Sequence, residues 1–493
     1  MRDYLVIGAG SAGCVMAAEL ARRGAGSVML LEAGPAETHP LVSIPFGLVW
    51  LMNGPRDWAF KTTPQTHAGG REISVPRGRM VGGSGSINSM VWFRGRQDDF
   101  DNWGVDGWSY ADVAPAFDAV EQELHPVRLT KAHPLSHGLE PLFGNTSPTP
   151  EAQSGGLLSH NKTRYRRRSA ARAYLRRRND VEVRTGCEVD RILWNNDRAA
   201  GVVLADGTEV RAAKGVVLCA GSVASPAILM RSGIGPKDHL SQLGIDPRLD
   251  SPDIGENLHD HPGVGLHFEG PRSGYGLEPA QWLSWALAPL NYALAASGPL
   301  SSPTVEAGLF FNARGNSDQP DVQTHFIPFH LAHKPPKYQA KAGYFADVCL
   351  CRPKSRGRLR LASKDPKAPP LIDLGLFADD SDLDTMVAGI GRLRELLKDA
   401  DFGKHRAPEV HPGETVTGEA LKTHIRNSAG TAYHPVGTVR LGGPLSERLS
   451  VNGVRGLWVA DASVMPQVTS ANTNAPSMMI GWRGAQFISE EAA

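Results

Sequence analysis

His434 stands in the run Tyr433-His434-Pro435-Val436-Gly437-Thr438, and the loop Ser470-Ala471-Asn472-Thr473-Asn474-Ala475-Pro476 follows it. Histidine is the side chain whose ordinary pKa lets it take a proton near neutral pH. A nearby asparagine amide can donate a hydrogen bond to an oxygen that is losing its proton, without competing for that proton. Pro435 biases His434 toward extended backbone. The chain holds 17 histidines, so His434 taken alone reads more simply as a loop histidine with a structural partner. Its neighbours must decide.

A second constellation opens the chain. Tyr4-Leu5-Val6-Ile7 is an apolar run, and Gly8-Ala9-Gly10-Ser11-Ala12-Gly13 follows directly. This is a strand entering a helix through a G-x-G-x-x-G turn. Gly8 permits the tight turn, Gly10 lets backbone approach a pyrophosphate, and Gly13 lets helix and strand pack closely. The helix expected over Cys14 to Arg23 points its positive end at the phosphates. A second strand, Val28-Met29-Leu30-Leu31, ends at Glu32, where a carboxylate can accept hydrogen bonds from a ribose. The glycine pattern reads as a dinucleotide cradle but does not choose between NAD and FAD.

Further apolar strands must position the rest. Val216-Val217-Leu218-Cys219-Ala220-Gly221 ends in glycine, where an open α/β sheet presents a ligand. Leu457-Trp458-Val459-Ala460-Asp461 ends in an acid suited to ribityl or ribose hydroxyls. The cradle pieces lie at the start, middle and end of the chain, so the domain they form is discontinuous.

The 493 residues allow about three units, or two large intertwined ones. The formal net charge is +1, which gives no global field toward nucleic acid or anionic lipid. Five scattered cysteines do not read as a disulfide framework, and a reducing compartment follows. An apolar strand already begins at residue 4, leaving no room for a signal peptide, so a cytoplasmic location is expected. Trp282 to Ala296 is short for a membrane span, contains Pro289, and is expected to be a buried helix.

Several longer segments resemble a known family. Gly78-Arg79-Met80-Val81-Gly82-Gly83-Ser84-Gly85-Ser86-Ile87-Asn88 resembles the first fingerprint of the glucose–methanol–choline (GMC) oxidoreductases. Gly221-Ser222-Val223-Ala224-Ser225-Pro226-Ala227-Ile228-Leu229 resembles the second. Asp253 to His261, the His434 run and Asp461 to Pro466 are also similar to that family.

The resemblance implies an α/β protein. A discontinuous Rossmann-like FAD-binding domain covers 1–269 and 424–493, and an α+β substrate domain with an antiparallel sheet covers 270–423. It implies FAD contacts at Gly8, Gly10, Ser11, Ala12, Gly13, Glu32 and Ala33. Others would be Trp58, Arg79, Gly82, Gly83, Asn88, Met90 and Val91, then Val189 and Ala220, and finally Tyr433, Asp461, Ala462 and Thr473. Some relatives bind flavin covalently through a histidine beside that asparagine. Here the position is Ile87, so FAD is expected to be non-covalent.

The resemblance makes His434 the catalytic base and Asn472 its partner, with Asn474 on the flavin side or structural. The expected reaction is oxidation of an alcohol to the aldehyde, with hydride passing to flavin N5. Primary alcohols of aromatic or hydroxymethyl-furan type come first and choline-like alcohols next. Oxygen or another acceptor takes the electrons. A non-redox hydroxynitrile-lyase-like flavoprotein and a fatty-acid photodecarboxylase are the alternatives, the latter suggested by Cys351 before Arg352-Pro353. No metal is expected. His259 and His261 flank Asp260 and read as a structural loop, and Cys349 and Cys351 read as packed free thiols. Arg164 to Arg178 reads as a solvated helix face rather than a nucleic-acid site, with one arginine able to meet an anionic partner.

Overall fold

The computed structural model describes all residues except 145, 146, 177, 277, 279, 280, 331–340 and 493. Two seven-stranded sheets organise it. In the first, the order is Val181–Arg184, Val28–Leu31, Arg2–Ile7, Glu209–Leu218, Arg198–Leu204, Val189–Asn195, and Leu457–Val459 also pairs with Glu209–Leu218. The apolar runs Tyr4 to Ile7, Val28 to Leu31, Val216 to Leu218 and Leu457 to Val459 are parallel to their neighbours, and nearly every residue in them is fully buried. Parallel strands covered on both faces require that kind of sequence.

Register then sets the site. Ile7 pairs with both Leu31 and Leu218, and Leu218 pairs with Val459. The next residues, Gly8, Glu32, Cys219 and Ala460, form a row at the carboxyl edge, where open parallel sheets hold ligands.

The first helix is Ser11–Arg22, three residues earlier than expected, because Gly10 is extended and caps it. Gly13 therefore lies inside the first turn, where a Cβ would sit 1.9 Å from the Gly8 carbonyl oxygen. The last helix, Asn474–Ala492, packs on the first through Gly481, whose Cβ would lie 2.4 Å from the Ala12 oxygen. That contact returns the end of the chain to the cradle.

The second sheet is antiparallel, in the order Glu409–His411, Pro262–Glu269, Gly343–Leu350, Val322–Ile327, Ala307–Phe311, Ser154–Leu157, with Gly430–Thr431 pairing Pro262–Glu269. It supplies the antiparallel sheet of the expected fold class. Two of its strands, Ser154–Leu157 and Pro262–Glu269, precede residue 270.

Two expectations fail. Trp282 to Ala296 is not one buried helix but two short ones, Trp282–Ala286 and Ala288–Ala295. Pro289 lies in the first turn of the second helix, where its missing N–H costs nothing but a continuous helix could not run through it. Trp282, Leu283, Leu287, Leu290 and Leu294 are all exposed. Nor is Arg164 to Arg178 a solvated helix face. Among the described residues there, helix is confined to the wide turn Ala171–Leu175 and Ala170 just before it, and Arg167 is 1% exposed.

Candidate active site

A cavity of ≈1870 Å³ lies along the carboxyl edge of the first sheet and against one face of the second. Ordinary ligand pockets measure roughly 300–1,000 Å³. This one has room for a dinucleotide and a substrate together.

The cradle is bare backbone. Gly8 has φ +96°, and a Cβ there would fall 2.6 Å from the Cys219 oxygen. At Gly10 a Cβ would meet nothing within 4 Å, so the main chain itself faces the cavity. No side chain caps the helix that starts at Ser11, which leaves its first N–H groups for a ligand. The Glu32 carboxylate accepts hydrogen bonds from the Ala9 and Gly34 amides at 2.9 and 2.8 Å. Burial pushes its pKa up to about 7 against those bonds. The second glycine segment locks onto the first, since the Gly82 amide donates to the Ala9 oxygen at 2.6 Å and a Cβ on Gly83 would lie 2.7 Å from Gly10 Cα.

Of the expected contacts, Ser11, Ala12, Ala33, Trp58 and Asn88 line the cavity, as do Met90, Val91, Val189, Ala220, Tyr433, Ala462 and Thr473. Gly13, Arg79 and Gly82 are not among its walls. Gly13 and Gly82 act behind the surface as packing positions. The Arg79 guanidinium covers the Trp58 ring at 4.8 Å and pairs with Glu188 at 3.2 Å.

Asp461 lines the cavity, but protein donors already fill its carboxylate: the Gly221 amide, Ser225 Oγ, and the Ser463 amide and Oγ, at 2.6–2.8 Å. Asn88 Oδ1 accepts from the Met90 amide at 3.0 Å and from Arg167 Nη1 at 2.7 Å. These bonds hold Met90 in the left-handed region, at φ +62°, a strained conformation for a side chain of its size. Arg167 is thus an anchor of the cofactor loop that the sequence reading missed.

His434 and Asn472 come together in the same cavity, with Asn472 Nδ2 at 3.2 Å from His434 Nε2. The His434 amide donates to both oxygens of Asp260, at 2.9 and 3.0 Å. Arg77 donates to the Tyr433 oxygen. Tyr433 itself is held at φ +65°. Burial, together with the neighbouring His261, His325 and Arg77, drives the His434 pKa well below 6.5. The ring is neutral at pH 7, the form a base requires.

His259 and His261 bond backbone instead: His259 Nδ1 to the Asn257 oxygen at 2.6 Å, His261 Nδ1 to the Leu350 oxygen at 2.7 Å.

The sequence reading also missed three residues around the His434–Asn472 pair, Gln323, His325 and Asp347. Asn472 Nδ2 lies 3.3 Å from His325 Nε2, and Asn472 Oδ1 accepts from Gln323 Nε2 at 3.1 Å. His325 Nδ1 lies 3.1 Å from Asp347 Oδ2, and the His325 amide donates to Asp347 Oδ1 at 2.6 Å. Burial pulls the His325 pKa down, but the Asp347 carboxylate outweighs it and the net shift is upward. Asn472 therefore bridges two imidazoles of opposite tendency. His325, Asp347 and Cys349 bring donor atoms within 4.8 Å of one another, a set that suits a metal ion. Both His325 nitrogens, however, already have partners in Asp347 and Asn472.

The residues present fit FAD. The cradle offers bare backbone and free helix N–H groups. Asn474, which lines the cavity, keeps a buried Nδ2 donor with no protein partner, while its Oδ1 accepts from Ser11 Oγ at 2.6 Å. Bound there, FAD would meet a neutral histidine and an amide donor in the same cavity.

Known proteins agree with this arrangement. The family description "GMC oxidoreductase" matches residues 2–263 and again 353–481. The chain is 36% identical to the oxygen-dependent choline dehydrogenase of Sinorhizobium medicae, over 99% of this chain and 95% of that protein. It is 34% identical to an alcohol dehydrogenase [acceptor] of Pseudomonas putida, over 99% and 96%. The crystal structure of a pyridoxine 4-oxidase from Mesorbium loti superposes with a TM-score of 0.87 at 26% identity, covering 99% of each chain. The chain belongs to the GMC oxidoreductase family, enzymes that bind FAD and act on CH–OH donors.

Proposed function

We propose that this protein oxidises a primary alcohol to the aldehyde, with non-covalent FAD and His434 as the base. The 3.2 Å approach of His434 Nε2 and Asn472 Nδ2 in the wall of the cavity carries this reading. FAD, when bound, accepts the hydride. His434 Nε2 takes the hydroxyl proton, and Asp260 anchors the main chain that carries the ring by accepting from the His434 backbone amide. The Asn472 amide donates to the alkoxide oxygen as charge develops there. His325, held by Asp347, is a second polar group beside that oxygen.

Aromatic or hydroxymethyl-furan alcohols are our first substrates. Pyridoxine, named in the structural relative, is itself an aromatic ring bearing hydroxymethyl groups. Choline-like alcohols come second: the sequence relatives favour them, but Asp347, an acid in the wall beside the pair, is engaged by His325. Oxygen or another acceptor reoxidises the flavin, as the relatives' two names suggest. We place the enzyme in the cytoplasm, and we divide the chain at 269/270 and 423/424, with Ser154–Leu157 and Pro262–Glu269 joining the second sheet. The photodecarboxylase reading weakens, because Cys351 is buried with Phe93 and Phe310 and is absent from the cavity wall. No observation favours the lyase.

The test is flavin absorbance during anaerobic addition of an alcohol panel. Bleaching by one class supports the reading and names the substrate, and readmitting air separates oxidase from dehydrogenase. Bound FAD that no alcohol bleaches would overturn it. Acid precipitation should release all the flavin, since Ile87 offers no atom for a covalent bond; a yellow pellet would refute that part.

A further inference from the structure

Among the described residues, most of the exposed large apolar side chains lie on or beside one helix pair. Leu287, Leu290 and Leu294 share a face of Ala288–Ala295 and its start, while Trp282 and Leu283 project from Trp282–Ala286. Leu294 is 70% exposed and Trp282 59%. Trp50, 54% exposed, joins them through Phe46, whose ring centroid lies 5.4 Å from that of Trp50 and 5.6 Å from that of Trp285. Scattered surface leucines need no explanation, but a contiguous apolar face of this kind marks an interaction site.

Cations border this face. Lys131 Nζ donates to the Ala295 oxygen at 2.7 Å. Tyr292 donates to the Tyr165 oxygen, and the two rings meet edge-on at 6.1 Å. Arg164 covers the Tyr165 ring at 5.1 Å, and Arg164, Arg166 and Lys131 are exposed. Residues 281–305 contain no charged residue at all, so no acid of the helix pair answers these cations. Two copies docked face to face would bring like charges together. Lipid phosphates would meet them with opposite charge. Among the described residues no helix is long and apolar enough to cross a membrane.

We propose that the helix pair Trp282–Ala286 and Ala288–Ala295, with Trp50, Lys131, Arg164 and Arg166, docks the enzyme peripherally on an anionic phospholipid surface. The leucines enter at the acyl boundary, the tryptophans sit at headgroup depth, and the cations meet phosphates. Trp50 also lines the large cavity, so the docked face adjoins a cavity wall.

Co-sedimentation of the FAD-loaded full chain with vesicles tests this. The protein should pellet with phosphatidylcholine–phosphatidylglycerol vesicles, far less with phosphatidylcholine alone, and less as salt rises. Leu290→Asp/Leu294→Asp and Arg164→Glu/Arg166→Glu should each lower the bound fraction by about tenfold or more, while flavin content and flavin reduction stay unchanged. Wild type that ignores both vesicle types would overturn the proposal. So would variants that bind as well as wild type. Sedimentation equilibrium supplies the third arm: a dimer dissociated by Leu290→Asp, with no vesicle binding, would show that a second copy covers this face.

Discussion

The cradle around Gly8 is built of backbone from one stretch of chain, Ile7 to Gly34, closed by the glycines at 82 and 83. The proton-handling centre is built of side chains from Asp260, His325, Asp347, His434 and Asn472, brought together from separate segments. In the cradle, what matters is the absence of atoms: a Cβ at Gly8 or Gly13 would fall within 2.6 Å of main-chain oxygen. In the centre, what matters is the identity of atoms: a neutral imidazole, an amide and a second imidazole tied to a carboxylate. The first region should fail completely when altered, the second by degrees.

The largest effect is therefore expected in the cradle. Gly8→Val forces a side chain into the Cys219 carbonyl at a φ that valine rarely adopts, so the purified protein should contain no FAD. A variant with full flavin content would break the comparison at once. Asn472→Ala should retain its FAD yet reduce it ~10²–10³-fold more slowly, the usual loss for one donor to a developing oxyanion. Stopped-flow absorbance measures this, and an unchanged rate would leave Asn472 a purely structural neighbour.

Asp347→Asn should act more mildly, and with a definite pH dependence. Asp347 raises the folded-state pKa of His325 above 6.5. The stability this supplies is fully present below the unfolded value of about 6.5 and disappears as pH rises through the folded value. The Tm difference between wild type and Asp347→Asn should thus be largest below pH 6.5 and shrink above it. A difference that grows with pH would mean His325 is not the group Asp347 supports.

These regions also differ in how far the sequence exposes them. The cradle was legible because its strand, glycines and carboxylate lie in contiguous order, and each has a local physical reason. His434 and Asn472 were legible through the runs that carry them. His325 and Asp347 were not, because their meeting depends on the antiparallel register of Val322–Ile327 against Gly343–Leu350. A signal did exist: Gln323, His325 and Asp347 are polar residues in strands whose other members are mostly apolar and buried. Arg167 escaped notice because its burial depends on the Gly85 carbonyl and on Asn88, on a distant loop. Trp282 to Ala296 was misread because apolar composition asks for a partner but cannot say whether it is core or something outside the chain.

The central claim is that His434 takes the substrate proton, and His434→Ala tests it most directly. With the alcohol that best bleaches wild type, anaerobic stopped-flow absorbance should show the variant with its full FAD content and flavin reduction slowed by ~10²–10⁴-fold or more. Reduction at a near-normal rate by an FAD-loaded His434→Ala would contradict the assignment and move the base elsewhere, with His325 the first candidate.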